Sequence, residues 1–124
     1  MDVNDGESWA VNTQGADQSA QWQQILSATH LPWRVTITQP RSEDAYDAWV
    51  RRWRIDDLAL LDCECGPCSG VRARRQLADT DGEFVAVLIT RAGADTVCQG
   101  GAEANLRPGD AVAWGSTKPA RFTV

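Results

Sequence analysis

Apolar and polar residues recur along this chain with two different periods. Four residues are spaced as on one face of a helix: Trp22, Ile25, Leu26 and Thr29. Asp17 or Ser19 can cap this helix, and Pro32 ends it. Beyond this segment, short runs rich in β-branched and aromatic residues are separated by turns of Gly, Pro and Asp. The pattern predicts one N-terminal α-helix followed by a series of short β-strands.

The predicted strands come at regular intervals, which is typical of antiparallel sandwiches and barrels. Ser42, Glu43 and Asp44 resemble a helix start and predict a short second helix through Ala48. The fold class is therefore predicted to be mainly β. The strands are expected at residues 34–38, 50–55, 58–65, 71–77, 84–91, 96–99, 102–106, 111–114 and 120–124.

The two ends of the chain differ in character. Residues 1–16 are polar and without a period, so we predict a flexible N-terminal lead-in, with Trp9 and Val11 as candidate contacts to the folded body. Residues 17–124 then form one domain, as expected for a chain of 124 residues. The chain stops directly after a predicted strand. This ending predicts either a fragment with an unpaired sheet edge or a last strand that closes the sheet.

Composition and charge reduce the number of function classes that this chain can belong to. The hydrophobic share is 43% and the charged share is 23%, as in folded globular proteins. A formal net charge of −5 argues against nucleic-acid binding by this chain, because phosphate neutralisation requires a basic surface. The sequence contains no apolar run long enough to cross a bilayer and no recognisable signal peptide. We therefore expect a cytoplasmic protein without a membrane partner.

The single histidine, His30, limits the catalytic chemistry. A Ser-His-Asp triad or a Cys-His pair would have to use it, and a multi-histidine metal site cannot form. We expect a structural or exposed role for His30. Asp79, Asp81 and Glu83 lack the spacing of a calcium-binding loop and are interpreted as turn residues.

The four cysteines leave three interpretations open. Cys63, Cys65 and Cys68 form C-E-C-G-P-C, and Cys98 follows some distance on. Four thiolates suit a tetrahedral zinc site, although only one pair has the usual Cys-x2-Cys spacing. C-G-P-C also matches the thioredoxin-type redox pattern, which requires a helix N-terminus directly after it. Inert core thiols are the default interpretation, so no metal is assigned.

The segment W-V-R-R-W-R at residues 49–54 interleaves basic and aromatic side chains. One interpretation is stacking on nucleic-acid bases, against which the net charge argues. A second is a strand with Arg52 and Arg54 on one solvated face and Trp53 buried on the other. A third is an arginine that lines a cavity for an anionic small molecule, since its forked donors match such groups.

The second half of the chain contains motifs that resemble those of a known protein family. G-A-D-T-V-C-Q-G-G-A-E-A-N-L-R-P-G-D at residues 93–110 combines two short strands with a glycine turn and a following L-x-P-G-D turn. R-A-R-R-Q-L-A-D-T-D-G-E-F precedes it and T-K-P-A-R-F follows it. With the Trp22 helix, R-V-T-I-T, the Tyr46 turn and W-R-I-D-D-L-A-L-L upstream, residues 22–124 resemble the N-terminal effector-binding domain of AraC-type bacterial transcription regulators.

This resemblance implies a cupin-like jelly roll, or double-stranded β-helix, that binds a small-molecule effector in its interior and forms a homodimer. In this family a separate C-terminal helix-turn-helix domain contacts DNA. We expect that domain and the last strands to be absent from this chain. Arg52, Trp53, Arg74 and Trp114 are the residues expected to line the effector cavity.

The resemblance implies neither catalysis nor a cofactor, because the His-x-His pair and later His of metal-binding cupins are missing. Two alternatives stay open. One is a small stand-alone cupin enzyme, which would need a general base in the barrel. The other is a thiol-based metal or redox sensor that uses Cys63, Cys65 and Cys68.

Overall fold

The computed structural model describes residues 6–12, 17–38 and 46–124. These residues form two helices, α1 (Gln18–Thr29) and α2 (Arg74–Ala78), and ten strands. The fold is mainly β, as predicted. The strands are β1 (Glu7–Ala10), β2 (Arg34–Ile37), β3 (Ala48–Ile55), β4 (Leu58–Cys65), β5 (Cys68–Arg72), β6 (Val85–Ile89), β7 (Asp95–Gln99), β8 (Ala102–Leu106), β9 (Ala111–Gly115) and β10 (Ala120–Thr123).

The described strands pair in three antiparallel sheets. Sheet A has the order β1-β3-β4, sheet B the order β2-β5-β10-β7-β8, and sheet C consists of β6 and β9. Strand β10 lies between β5 and β7, so strands distant in sequence become neighbours in sheet B. Such crossovers are typical of jelly rolls, and the arrangement is consistent with the predicted cupin-like fold.

Helix α1 forms for the reasons read from the sequence. Asp17 accepts a hydrogen bond at Oδ1 from the Ala20 amide and thereby caps the first turn. Trp22, Leu26 and Thr29 are the buried residues of the helix, at the spacing of one face. This face packs against β2 and β3. The helix therefore closes one side of the hydrophobic core.

The core joins this helix to sheets A and B. Trp22, Val50 and Cys68 are completely or almost completely removed from solvent. Leu26 of α1 and residues of the loops and of three strands complete the cluster: Val11, Trp33, Val35, Tyr46, Ala48 and Ala120. Burial of this apolar surface supplies most of the stabilisation of the fold.

The structure corrects the strand predicted at residues 71–77. Strand β5 ends at Arg72, and α2 begins at Arg74. The Gln76 side chain accepts a hydrogen bond from the Ala73 amide and caps this turn. The residues of α2 are mostly good helix formers, so local propensity outweighs the β-branched start of the segment.

Two further predictions concern the first half of the chain. Strand β1 lies inside the predicted lead-in and pairs with β3, and the neighbouring Val11 is buried. The amide of Val11 donates to the Ala48 carbonyl, which continues this pairing. The short helix predicted from Ser42 falls largely on residues 39–45, outside the described part of the chain, and Ala48 itself begins β3.

Candidate functional site

The four residues predicted to line one cavity lie in three different places. Arg52 and Trp53 are neighbours on β3, so their side chains point to opposite faces of sheet A. Arg52 forms an ion pair with Glu7 at 3.1 Å and stacks on the Trp9 ring at 4.8 Å. Its Nη1 also donates to the Ala28 carbonyl. Arg52 therefore ties β1 and the end of α1 to β3.

Arg74 and Trp114 lie apart from this pair. Arg74 is the exposed first residue of α2. Trp114 on β9 packs edge-to-face against Trp33, with ring centroids 5.4 Å apart. Trp33 packs in the same way against Phe122 at 4.9 Å. The predicted interior position thus holds a packed aromatic cluster.

Arg72, which the sequence did not single out, lies beside this cluster with 0% of its surface exposed. Its Nη1 donates to the Pro32 carbonyl at 2.7 Å, and its Nη2 donates to Thr80 Oγ1 and to the Ser116 carbonyl. The guanidinium faces the rings of Trp33 and Trp114 at 5.8 and 5.9 Å. Burial lowers the pKa of this group from its ordinary value. These contacts give Arg72 a structural role.

An open groove of about 440 Å³ lies on the other face of β3, and we call it the β3 groove. Strand alternation places Trp49, Arg51 and Trp53 side by side on this face. Strand β1 borders them on one side and β4 on the other. The groove is lined by Ser8, Trp9, Ala10, Trp49, Val50, Arg51, Trp53 and Asp62.

The cation of the β3 groove is held against an aromatic ring. The Arg51 guanidinium lies 4.9 Å from the centre of the Trp53 ring, which is cation–π geometry. The backbone of Gly6 lies close to both side chains, so a Cβ there would come within 2.7 Å of Arg51 Nε and 2.9 Å of Trp53 Nε1. Gly6 therefore leaves the space in which Arg51 stacks on Trp53.

The carboxylate of the groove is already paired. Asp62 lies directly opposite Arg51 in the β3–β4 register. Its Oδ1 accepts a hydrogen bond from Arg91 Nη2 at 2.6 Å. The ion pairs found in the described part of the chain are this one and Arg52–Glu7. Arg51 thus faces the groove without a carboxylate partner among residues 6–12, 17–38 and 46–124.

The cysteines do not converge as a four-thiolate site. Cys65 Sγ and Cys68 Sγ are 3.9 Å apart, whereas Cys98 on β7 lies opposite Arg121 and Glu103 in sheet B. Within the described ranges, no group of three or more Cys, His, Asp or Glu side chains is placed to hold a metal ion. A hydrogen bond with the Cys63 thiol raises the pKa of Cys65 to about 12. The thiolate needed for metal binding or redox exchange is thereby disfavoured.

His30 is a partly buried residue at the end of α1. Thr29 Oγ1 donates to the Ile25 carbonyl and lies 2.9 Å from His30 Nδ1, so Nδ1 carries the proton in the neutral ring. Burial, with a smaller effect of the nearby Arg52 cation, lowers the pKa of His30 from 6.5 to about 4. His30 is a structural residue in this environment.

The shifted pKa of His30 makes stability depend on pH. Between pH 6.5 and 4 the unfolded chain binds a proton that the folded chain does not, so the free energy of unfolding falls as the pH is lowered through this window. We expect a loss on the order of 2 kcal/mol, since one pKa unit corresponds to about 1.4 kcal/mol and the ring keeps partial solvent contact. Urea titrations at a series of pH values measure it, with His30→Gln as the control. Parallel curves for the two proteins would contradict the prediction.

Neither helix among the described residues is long and apolar enough to cross a membrane. No curated protein matches the chain in sequence. The crystal structure of the AraC-like transcriptional activator CuxR is similar in fold, with a TM-score of 0.76 and 17% sequence identity. The match covers 96% of this chain and 43% of the CuxR chain.

The family model described as the AraC-binding-like domain matches residues 22–124. The matched range begins at the buried tryptophan of α1 and includes every strand from β2 to β10. It also agrees with the resemblance found on the sequence motifs. The chain therefore belongs to the AraC-binding-like domain family.

Proposed function

We propose that this domain senses a small-molecule effector for a transcription regulator, and that the effector binds in the β3 groove. The observation that carries the proposal is the groove itself, an open recess of about 440 Å³ that presents the side chains of Trp49, Trp53 and Arg51. Recesses of this size, with mostly apolar walls and a few polar groups, are typical of small-molecule sites. Family membership supports the regulatory role.

The groove is a better candidate than the space between the sheets. Trp33, Trp114 and Phe122 pack against one another there, and the Arg72 guanidinium is engaged by three hydrogen-bond acceptors. Trp53 is the member of the predicted set that lines the groove. Arg52 supports it from the opposite face of β3 by holding β1 through Glu7 and Trp9.

Thermal unfolding tests the location of the effector site. A compound that binds the folded domain at one hundred times its Kd is expected to add about 2.7 kcal/mol of stability. Trp53→Leu should abolish the shift in Tm, whereas Trp114→Phe, which alters the interior cluster, should keep it. A shift that survives Trp53→Leu but is lost in Trp114→Phe would place the site between the sheets instead.

The proposal assigns this chain sensing alone, without catalysis or a bound cofactor, in the cytoplasm. The chain spans less than half of the CuxR chain that it resembles in fold. DNA contact is therefore assigned to another part of the regulator. The net charge of −5 supports this division, because a DNA-binding surface is normally basic.

We also propose that the domain forms a homodimer through the outer face of sheet C. Val85, Val87 and Ile89 alternate on β6 and are 79%, 64% and 62% exposed. Their in-register neighbours on β9 include Ala113 and Ala111, which are also exposed. A contiguous apolar face of this kind is unusual on a monomer and is typical of an interface.

The dimer proposal predicts the effect of a charge on this face. Val87→Glu should convert the dimer to a monomer of 13.6 kDa without unfolding it, because the side chain is mostly exposed in a single copy. Sedimentation velocity measures the change. Thr36→Glu, at an exposed position on β2, is the matched control and should leave the dimer intact. A wild-type chain that stays monomeric at high micromolar concentration would refute the proposal.

A further inference from the structure

The charges of the β3 groove point to the chemical class of its ligand. We propose that the groove binds a planar aromatic carboxylate, with its carboxylate on Arg51 and its ring against the indoles of Trp49 and Trp53. This inference rests on the proposed function, since it concerns the same groove. It adds the chemical groups that the ligand must have, namely an aromatic ring and a carboxylate.

The walls of the groove select a flat, apolar ligand. The side chains of Trp49 and Trp53 contribute to the lining and flank Arg51 on the same face of β3. Aromatic faces pair best with other rings, in offset or edge-to-face contact. A volume of about 440 Å³ accommodates a compound of one or two fused rings.

The charge of the groove selects an anion. Arg51 is exposed, and its planar guanidinium is oriented by the ring of Trp53. The carboxylate opposite it, Asp62, is already engaged by Arg91 at 2.6 Å. No carboxylate among the described residues pairs with Arg51, so its forked donors can engage a ligand. A carboxylate matches that fork with two parallel hydrogen bonds.

The charges around the β3 groove favour a ligand with one negative charge over a ligand with several. The chain carries a net charge of −5, so an anion is attracted only where a cation stands locally uncompensated. Asp62 also lines the groove, and its negative charge is paired with one arginine, whose side chain is 72% exposed. A monocarboxylate meets less repulsion from Asp62 than a dianion would.

Binding of three probes to the folded domain tests the proposal, with calorimetry and the indole N–H signals of NMR as readouts. The probes are 2-naphthoate, its neutral analogue 2-naphthamide, and hexanoate, which has the charge without the ring. We expect 2-naphthoate to bind about tenfold more tightly than either of the others, as one added charge-assisted hydrogen-bond pair implies. Arg51→Gln should reduce its affinity to that of 2-naphthamide.

Arg54→Gln is the matched control, because it removes the same charge from the same strand but from the other face of sheet A. It should keep the tenfold preference. Arg91→Gln provides a second variant outside the groove lining. It frees Asp62 to pair with Arg51 across the β3–β4 register, so it should weaken 2-naphthoate and leave 2-naphthamide unchanged.

The outcomes separate this inference from the proposed function. Equal binding of 2-naphthoate and 2-naphthamide, or a preference that survives Arg51→Gln, overturns the carboxylate assignment. The groove still stands as the effector site in that case, provided that Trp53→Leu weakens both ring probes. Absence of binding by every probe, or binding indifferent to Trp53→Leu, overturns the carboxylate assignment and the proposed site together.

Discussion

Arg72→Met is expected to lower the free energy of unfolding by about 3 kcal/mol. The substitution leaves the carbonyls of Pro32 and Ser116 and the Thr80 hydroxyl without the donor that they share. Each unsatisfied buried polar group costs about 1–3 kcal/mol, and relief of the buried charge offsets part of this sum. The net effect is a loss because the Pro32 and Ser116 carbonyls depend on this guanidinium, whereas Thr80 Oγ1 keeps its own hydrogen bond to the Gln76 carbonyl.

The position of the three acceptors explains the size of the expected effect. Pro32 lies between α1 and β2, Thr80 follows α2, and Ser116 follows β9. Arg72 thus links three separate loops to β5 by hydrogen bonds. Arg72→Lys should also be destabilising, because a single ammonium on a flexible stem cannot reproduce the planar fork.

Urea unfolding monitored by tryptophan fluorescence measures this loss. Arg74→Met, two residues further along and exposed, is the control and should change stability by no more than about 0.5 kcal/mol. A loss below about 1 kcal/mol in Arg72→Met would mean that water replaces the guanidinium at all three acceptors.

Gly70→Ala is expected to cost about 2–3 kcal/mol, although it adds a single methyl group. Gly70 is buried on β5 directly opposite Phe122 on β10. A Cβ at this position would overlap the Phe122 ring. That ring is held against Trp33, so it cannot move without disturbing the interior aromatic cluster.

A double-mutant cycle isolates this cause. Phe122→Leu removes the ring that obstructs the new methyl group, so the two substitutions together should cost about 1 kcal/mol less than the sum of their separate effects. Gly115→Ala is the control, because that strand glycine has a negative φ and no atom within 4 Å of an added Cβ. Additive losses in the cycle would show that crowding against Phe122 is not the cause.

Much of the fold was predictable from local patterns. The helical spacing that begins at Trp22 predicted α1, and Asp17, one of the two candidate caps, is the residue that caps it. Turn residues delimited β4 and β8 at their observed bounds, and most other strands within a few residues. Motifs between residues 93 and 110 also indicated the family that residues 22–124 match.

The candidate site was less predictable, and β3 shows why. Alternation along residues 49–54 indicates that Arg51 and Trp53 share one face and Arg52 the other. It does not indicate which face packs against α1 and which borders a groove. Pairing with β1, from a segment without a sequence period, supplies the wall that completes the groove.

The sequence by itself determined the helix, most strand positions, the family and the chemical types of its side chains. Tertiary structure alone decided that Arg72 is buried among three connections, that Arg51 faces a groove, and that Asp62 is paired with Arg91. The physical reason is the distance along the chain over which each kind of interaction acts. Periodicity, caps and turns act over a few residues, whereas burial and ion pairing depend on strands that the chain brings together from far apart.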